Sequence, residues 1–245
     1  MDKVKTGIKG MDSLLDGGIP KGRIILLSGS SGTGKTIFVS HFIKEGVKND
    51  ENCVYVTLEQ SKDKLIEDLK NIGIDFDDMQ KKNKLKLIGG PVAHINFFKQ
   101  KTKATFEDLT KEMEEIIKQS SASRFVLDST NLFTMLFDDD VERRKALANL
   151  VAMLDKVKCT SILTCEVKEN SNAISWHGFE EFVVDGVIVL HRIPFENMFE
   201  RAVSVLKMRG VGHSQKVGLV TITKDGMEVY PDRQPYKAVY GNHNT

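Results

Sequence analysis

The sequence predicts an α/β protein, with a mostly parallel central sheet, helices on both faces and antiparallel strands at the C-terminal end. Three observations predict it. Short apolar runs alternate with longer amphipathic segments through the first two-thirds of the chain. A glycine-rich loop separates one such run from the helix that follows. Beyond residue 185 the strand-like runs succeed one another with no room for helices between them.

The elements follow in order. Ile24 to Ser28 reads as a buried strand, and after Gly34 the residues Phe38, Val39, Phe42, Ile43 and Val47 recur at helical spacing. Next come strand Cys53 to Leu58, a helix opening near Ser61, strand Leu85 to Ile88, and a helix carrying Phe106, Leu109, Met113, Ile116 and Ile117 on one face. Thr105 and Asp108 form a capping box for that helix. Strand Phe125 to Leu127 precedes a helix bearing Leu147, Leu150, Val151, Leu154 and Val157, whose start carries Asp138, Asp139 and Asp140. Their charge suits the positive end of a helix dipole. After strand Ser161 to Thr164, the runs Val187 to Leu190, Ala202 to Met208, Val217 to Thr223 and Met227 to Tyr230 supply the antiparallel strands.

At 245 residues, 40% of them hydrophobic, the chain suffices for one large core, and one domain over 1–245 is expected. The 35 basic and 34 acidic residues nearly cancel, so no overall field draws the protein to nucleic acid or an anionic membrane. Cys53, Cys159 and Cys165 are odd in number and lie in or beside apolar runs, the pattern of buried thiols in a reducing compartment. No apolar run approaches the ~20 residues of a membrane span, and a cytoplasmic protein is expected.

The segment Gly29, Ser30, Ser31, Gly32, Thr33, Gly34, Lys35, Thr36 fits G-x-x-x-x-G-K-[ST] between a predicted strand and a predicted helix. In that setting glycines let the loop curl so that successive N–H groups face phosphate oxygens, and the helix N-terminus adds partial positive charge. Lys35 is the candidate for neutralising the β and γ phosphates of ATP, and the Thr36 hydroxyl for binding Mg2+. Asp128 closes the apolar run Phe125 to Leu127 and supplies a second carboxylate for the metal. Glu59 closes another strand and is the candidate base that orients water. Strand ends of one polarity line the crevice of a parallel sheet, so Glu59 and Asp128 are expected beside the loop. Thr164 and Glu166, at the end of the next strand, are candidates for sensing the γ phosphate.

Seven segments carry a resemblance to one family: Thr6 to Asp12, Gly17 to Gly22, the phosphate loop, Val56 to Glu59, Leu127 to Ser129, Phe182 to Ile188 and Lys207 to Gly210. In order and spacing they resemble a single-domain, archaeal-type KaiC-like ATPase of the RecA-like P-loop superfamily. The resemblance implies a RecA-like core, ATP or ADP with Mg2+, a homo-oligomer in the form of a hexameric ring, and ATP at subunit interfaces. It also implies that Lys207 and Arg209 act on the ATP of a neighbouring subunit. Alternation places those two cations on one side of their strand and Met208 on the other.

The chain departs from the family in three places. KaiC proper carries two such domains, and one is present here, so clock function is not inferred. Where the family has two adjacent glutamates this chain has Glu59 and Gln60, which implies slow turnover. Where the autophosphorylating domain has adjacent hydroxyl residues stand Glu181 and Phe182, so no phosphorylation is expected there.

The expected function is therefore an oligomeric ATPase that acts as a switch or timer on an unknown protein partner. The alternatives are a RadA- or RecA-like recombinase paralogue that binds DNA and a non-hydrolysing ATP-binding scaffold. Lys81, Lys82, Lys84 and Lys86, with Lys99, Lys101 and Lys103 beside Phe97 and Phe98, are the basic stretches available to nucleic acid. Binding there is not favoured over a solvated face. Pro91 to Ala104 matches the family least and is a candidate partner-binding loop.

Overall fold

The structure, a computed structural model, describes residues 1–90, 106–169 and 173–235. A small antiparallel pair, β1 (Lys3–Val4) and β2 (Ile19–Pro20), brackets the short helix α1 (Met11–Leu14). The chain then enters the main sheet through β3 (Ile24–Gly29), α2 (Lys35–Lys48) and β4 (Cys53–Thr57). Helices α3 (Lys62–Lys70) and α4 (Phe76–Lys81) lead to β5 (Leu85–Gly89). Then follow α5 (Phe106–Gln119), β6 (Arg124–Asp128), α6 (Thr130–Thr134), α7 (Asp140–Val157) and β7 (Thr160–Glu166). The helix α8 (Glu180–Val183) precedes the strands β8 (Gly186–Phe195), β9 (Met198–Met208), β10 (Gly218–Thr223) and β11 (Gly226–Tyr230).

Among the described residues, the nine strands of the main sheet lie in the order β11, β10, β9, β8, β3, β7, β6, β4, β5. From β8 to β5 all neighbours are parallel, and from β8 to β11 all are antiparallel, as expected. Every residue of β3 is buried, because both of its faces carry helices. Alternation divides it: Ile25 and Leu27 pack with Phe38, Phe42 and Ile43 of α2, whereas Ile24 and Leu26 pack with Leu147, Leu150 and Leu154 of α7. Two apolar layers, one on each side of the sheet, result.

Local chemistry sets the helix starts. Ser61 accepts from the Lys64 amide at the head of α3, and Asp139 accepts from the Glu142 amide at 2.8 Å at the head of α7. The expected cap at Thr105 and the segment Pro91 to Ala104, including Phe97, Phe98, Lys99, Lys101 and Lys103, lie outside the described residues. Helices α1, α4, α6 and α8 span six residues or fewer and have no sequence periodicity long enough to announce them.

The β8–β9 ribbon is longer than the sequence suggests. Pairing with β3 stops at Leu190, yet β8 continues to Phe195 and β9 begins at Met198. Among the described residues this extension has no helix layer on it, so it lacks the apolar run that marks a central strand.

Two polar contacts tie distant parts of the chain together. The C-terminal hairpin β10–β11 rests on α2, where His41 Nε2 accepts from the Met227 amide at 2.9 Å. Burial holds His41 down to about 4, so it remains a neutral acceptor. The adjacent Gly226 has φ +98°, and a Cβ there would stand 2.2 Å from His41 Nε2. Arg124, 1% exposed, lies 4.5 Å over the Phe42 ring, donates to the carbonyls of Lys5 and Phe42 at 2.8 Å each, and pairs with Glu51. All three cysteines are buried and free. Among the described residues no helix is long and apolar enough to cross a membrane.

Candidate functional site

The loop from Gly29 to Thr36 joins the end of β3 to the start of α2. Gly32 and Gly34 take φ of +73° and +101°, a region that L side chains rarely enter. The space beyond Gly32 is open, whereas a side chain at Gly34 would meet Ile222 and Met227 at 2.8 Å. The loop is therefore free on its outer turn and backed by the C-terminal hairpin. Lys35 is 7% exposed, and its Nζ donates to the carbonyls of Gly29 at 2.9 Å and Ser30 at 3.0 Å.

Parallel pairing brings the other strand ends to this loop. Thr36 Oγ1 donates to Asp128 Oδ2 at 3.0 Å. The same carboxylate receives the Tyr55 hydroxyl at 2.8 Å and, on Oδ1, the Thr164 hydroxyl at 2.5 Å. Glu166 Oε2 lies 3.9 Å from Lys35 Nζ. Glu59 follows β4 at the mouth of the cleft, and its carboxyl is held above the usual glutamate value. Partial burial is the main cause and the charge of Asp128 the next, while the Ser129 hydroxyl and Lys35 pull the other way.

The structure thus brings Gly29 to Thr36, Glu59, Asp128, Thr164 and Glu166 together. Thr164 plays a different part from the one expected of it. It is fully buried and spends its hydroxyl on Asp128, below the open cleft where Glu166 stands. Lys207 and Arg209 are not part of this cluster within one chain. Arg209 lies just past the end of β9, and Lys207 and Met208 before it meet β8 at Val187 and Gly186, the level of Leu26 and Ile25, three to four rungs from Gly29. That is about 10–13 Å along the sheet. Lys207 Nζ donates to the carbonyls of Glu181 at 3.0 Å and Val184 at 2.8 Å, and Arg209 Nη2 to Phe182 at 3.2 Å. Lys207 in β9 and Arg209 just past its end thus turn to the same segment, while Met208 between them is buried. Burial, then the neighbouring Arg209 charge, holds Lys207 below the ordinary lysine value.

Three residues that sequence reasoning missed also belong here. Tyr55 orients Asp128, and its signal was a polar-tipped aromatic in an otherwise apolar strand, where a buried hydroxyl needs a partner. Asn131 bonds both backbone groups of Glu166. Arg201 Nε donates to the Gly32 carbonyl at 3.1 Å, so one arginine of the same chain does touch the loop. It holds a carbonyl and leaves the loop's N–H groups free. Neither Asn131 nor Arg201 stands in a recognisable spacing. Of the residues beside Glu181, Ser175 is buried and donates to the Glu181 carboxylate, and Ser171 lies outside the described residues.

The site fits a phosphate chain with a divalent cation. A hydroxyl and a carboxylate, both hard oxygen donors, meet at Thr36 and Asp128, the chemistry that magnesium takes. The buried Ser129 hydroxyl faces the Glu59 carboxyl and has no other hydrogen-bond partner among the described residues.

Comparison with known proteins agrees with this geometry. The sequence model described as "ATPase: KaiC" matches residues 4–234. A UPF0273 protein of Pyrococcus horikoshii is 34% identical over 237 residues, covering 94% of this chain and 95% of that protein. A UPF0273 protein of Thermotoga maritima is 32% identical, covering 94% of this chain and 96% of its own length. The circadian clock protein KaiC3 of Synechocystis is 31% identical, and there the match spans 46% of the longer protein. A crystal structure of a KaiC-like protein from P. horikoshii superposes with a TM-score of 0.82 at 32% identity, covering 94% of this chain and 99% of the other. The fold is thus the RecA-like one, and the chain belongs to the KaiC family of P-loop ATPases.

Proposed function

We propose that the protein is a magnesium-dependent ATPase that works as a cytoplasmic homo-oligomer and regulates a protein partner. The observation that carries the reading is the meeting of Thr36 and Asp128 at 3.0 Å beside Lys35 and Glu59, from three different strand ends. Backbone N–H groups of Gly29 to Gly34 hold the phosphates of ATP, and Lys35 turns from its loop carbonyls to neutralise the β and γ oxygens. When bound, magnesium spreads the charge that develops on those oxygens. Tyr55 and Thr164 keep the Asp128 carboxylate aimed at Thr36. Glu59 takes the proton of the attacking water, so that the γ phosphorus gains one oxygen and loses its bond to ADP.

Lys207 and Arg209 act in trans in this reading. Their distance from the loop of their own chain supports a role at a neighbour's site, in line with what the family resemblance implies. Gln60 beside Glu59 keeps turnover slow, which suits a switch better than a motor. Nucleic acid is not the favoured partner: Lys82 and Lys84 are paired with Asp78 and Asp50. Phosphate release from purified protein, with magnesium or with a chelator, tests the reading. Magnesium-dependent release that DNA leaves unchanged supports it. No turnover despite nucleotide binding would favour a scaffold, and stimulation by DNA a recombinase paralogue.

A further inference from the structure

The last rungs between β6 and β7 are made by side chains. Their backbone ladder ends with Leu127 opposite Leu163, where β6 gives way to the loop and helix α6. Strand β7 runs three residues further, to Glu166, and on that side its backbone has no strand to pair with among the described residues. Asn131 supplies the missing rung. Its Nδ2 donates to the Glu166 carbonyl at 2.9 Å, and its Oδ1 accepts from the Glu166 amide at 2.7 Å. A carboxamide carries a donor and an acceptor in one plane, as a peptide group does. Aspartate keeps only the acceptor, and alanine neither.

On its other side Glu166 is opposite Gly29, the first residue of the phosphate loop. Its backbone is therefore fixed from both flanks, and its half-exposed side chain ends 3.9 Å from Lys35 Nζ. We propose that Asn131 is a positioning residue that holds Glu166 against Lys35 and so sets where this carboxylate stands during ATP hydrolysis. The proposal rests on the ATPase reading. It requires no change in the loop's grip on phosphate, because the Asn131 carboxamide bonds Glu166 and not the phosphate loop. Losing Asn131 should therefore slow the chemical step more than it weakens binding. A displacement of about 1 Å in a reacting group costs up to about 10²-fold in rate, whereas uniform binding is insensitive to it.

The test uses the full chain carrying Asn131→Ala, Asn131→Asp, Glu166→Ala, or Asn131→Ala with Glu166→Ala. Amide hydrogen exchange across β7, measured without nucleotide, should quicken about tenfold at Glu166 in Asn131→Ala and stay slow in Asn131→Asp. With ATP and magnesium, kcat of Asn131→Ala should fall about tenfold while the dissociation constant of a fluorescent ATP analogue changes less than about threefold. In the Glu166→Ala background the same substitution should add less than about twofold, because its effect passes through that carboxylate. An undiminished tenfold fall in that background, or wild-type kcat in Asn131→Ala, overturns the proposal. Should the alanine variant unfold, Asn131→Leu, of similar size and with neither donor nor acceptor, carries the kinetic arms. A wild-type protein that neither binds nor turns over ATP refutes the ATPase reading instead, and the exchange measurement still decides whether the clamp exists.

Discussion

The Thr36 hydroxyl donates to the Asp128 carboxylate across 3.0 Å although the two residues are 92 positions apart. That contact exists because β3 and β6 end on the same edge of the sheet, with β7 between them. It gathers loop, metal-side carboxylate and candidate base into one cleft and gives each a separable role.

Those roles predict different failures. Lys35→Ala removes the countercharge and should weaken ATP binding by at least about tenfold, or about 1.4 kcal/mol. Glu59→Gln keeps the shape and loses the base, so binding should persist while kcat falls about 10²-fold. Equilibrium titration and phosphate release measured on the same preparations separate the two, and full turnover in Glu59→Gln would move the base to Glu166.

Lys207 and Arg209 predict complementation between subunits. Arg209→Ala should lower kcat by about 10³-fold if it places a cation on a neighbour's γ phosphate. Mixed with Lys35→Ala under subunit exchange, it should regain activity, since one interface then pairs an intact loop with an intact arginine. Light scattering must show co-assembly; a mixture that co-assembles and stays inactive assigns Arg209 no role in trans.

His41 predicts a pH dependence of stability. Its value drops from 6.5 to about 4 on folding, so the unfolded chain binds more protons between those limits. Stability must then rise with pH across that window, and be lost as pH falls from 6.5 toward 4. His191, also lowered by burial, adds to the same trend. Thermal unfolding from pH 4 to 7 should show the slope, and His41→Gln, which retains an acceptor, should flatten it.

Arg124 predicts a large loss from one truncation. Arg124→Ala strands the carboxylate of Glu51 and two carbonyls at the junction of α2 and β6, which should cost about 3–5 kcal/mol. Urea unfolding measures it. A loss below about 1 kcal/mol would mean that water replaces the guanidinium.

The parts legible in the sequence were those with a long period or a fixed spacing. The burial of Ile24 to Leu27, the helix through Phe38 and Phe42, and the glycine-lysine loop each carry their signal within a dozen residues. The site's supports were not legible, for a physical reason. Tyr55, Thr164, Asn131 and Arg201 act by one or two hydrogen bonds to groups far along the chain, and neither periodicity nor motif records such a contact. The β8–β9 extension was hidden because charged and polar residues interrupt its apolar ones, so it shows no continuous apolar run of the kind that marks a central strand.

The central place of β3 has a consequence for how the protein is made. Residue 24 pairs with residue 161 and residue 25 with residue 186, so this early strand has no lateral neighbour until most of the chain has left the ribosome. At about 5–20 residues per second the delay is roughly 7–30 s. Throughout it, an apolar strand that the finished fold buries completely is uncovered, as befits a topology dominated by distant pairings. Substitutions in β7 that barely shift the melting temperature should therefore still lower the yield of soluble protein, because they act on the nascent chain before the sheet has a centre.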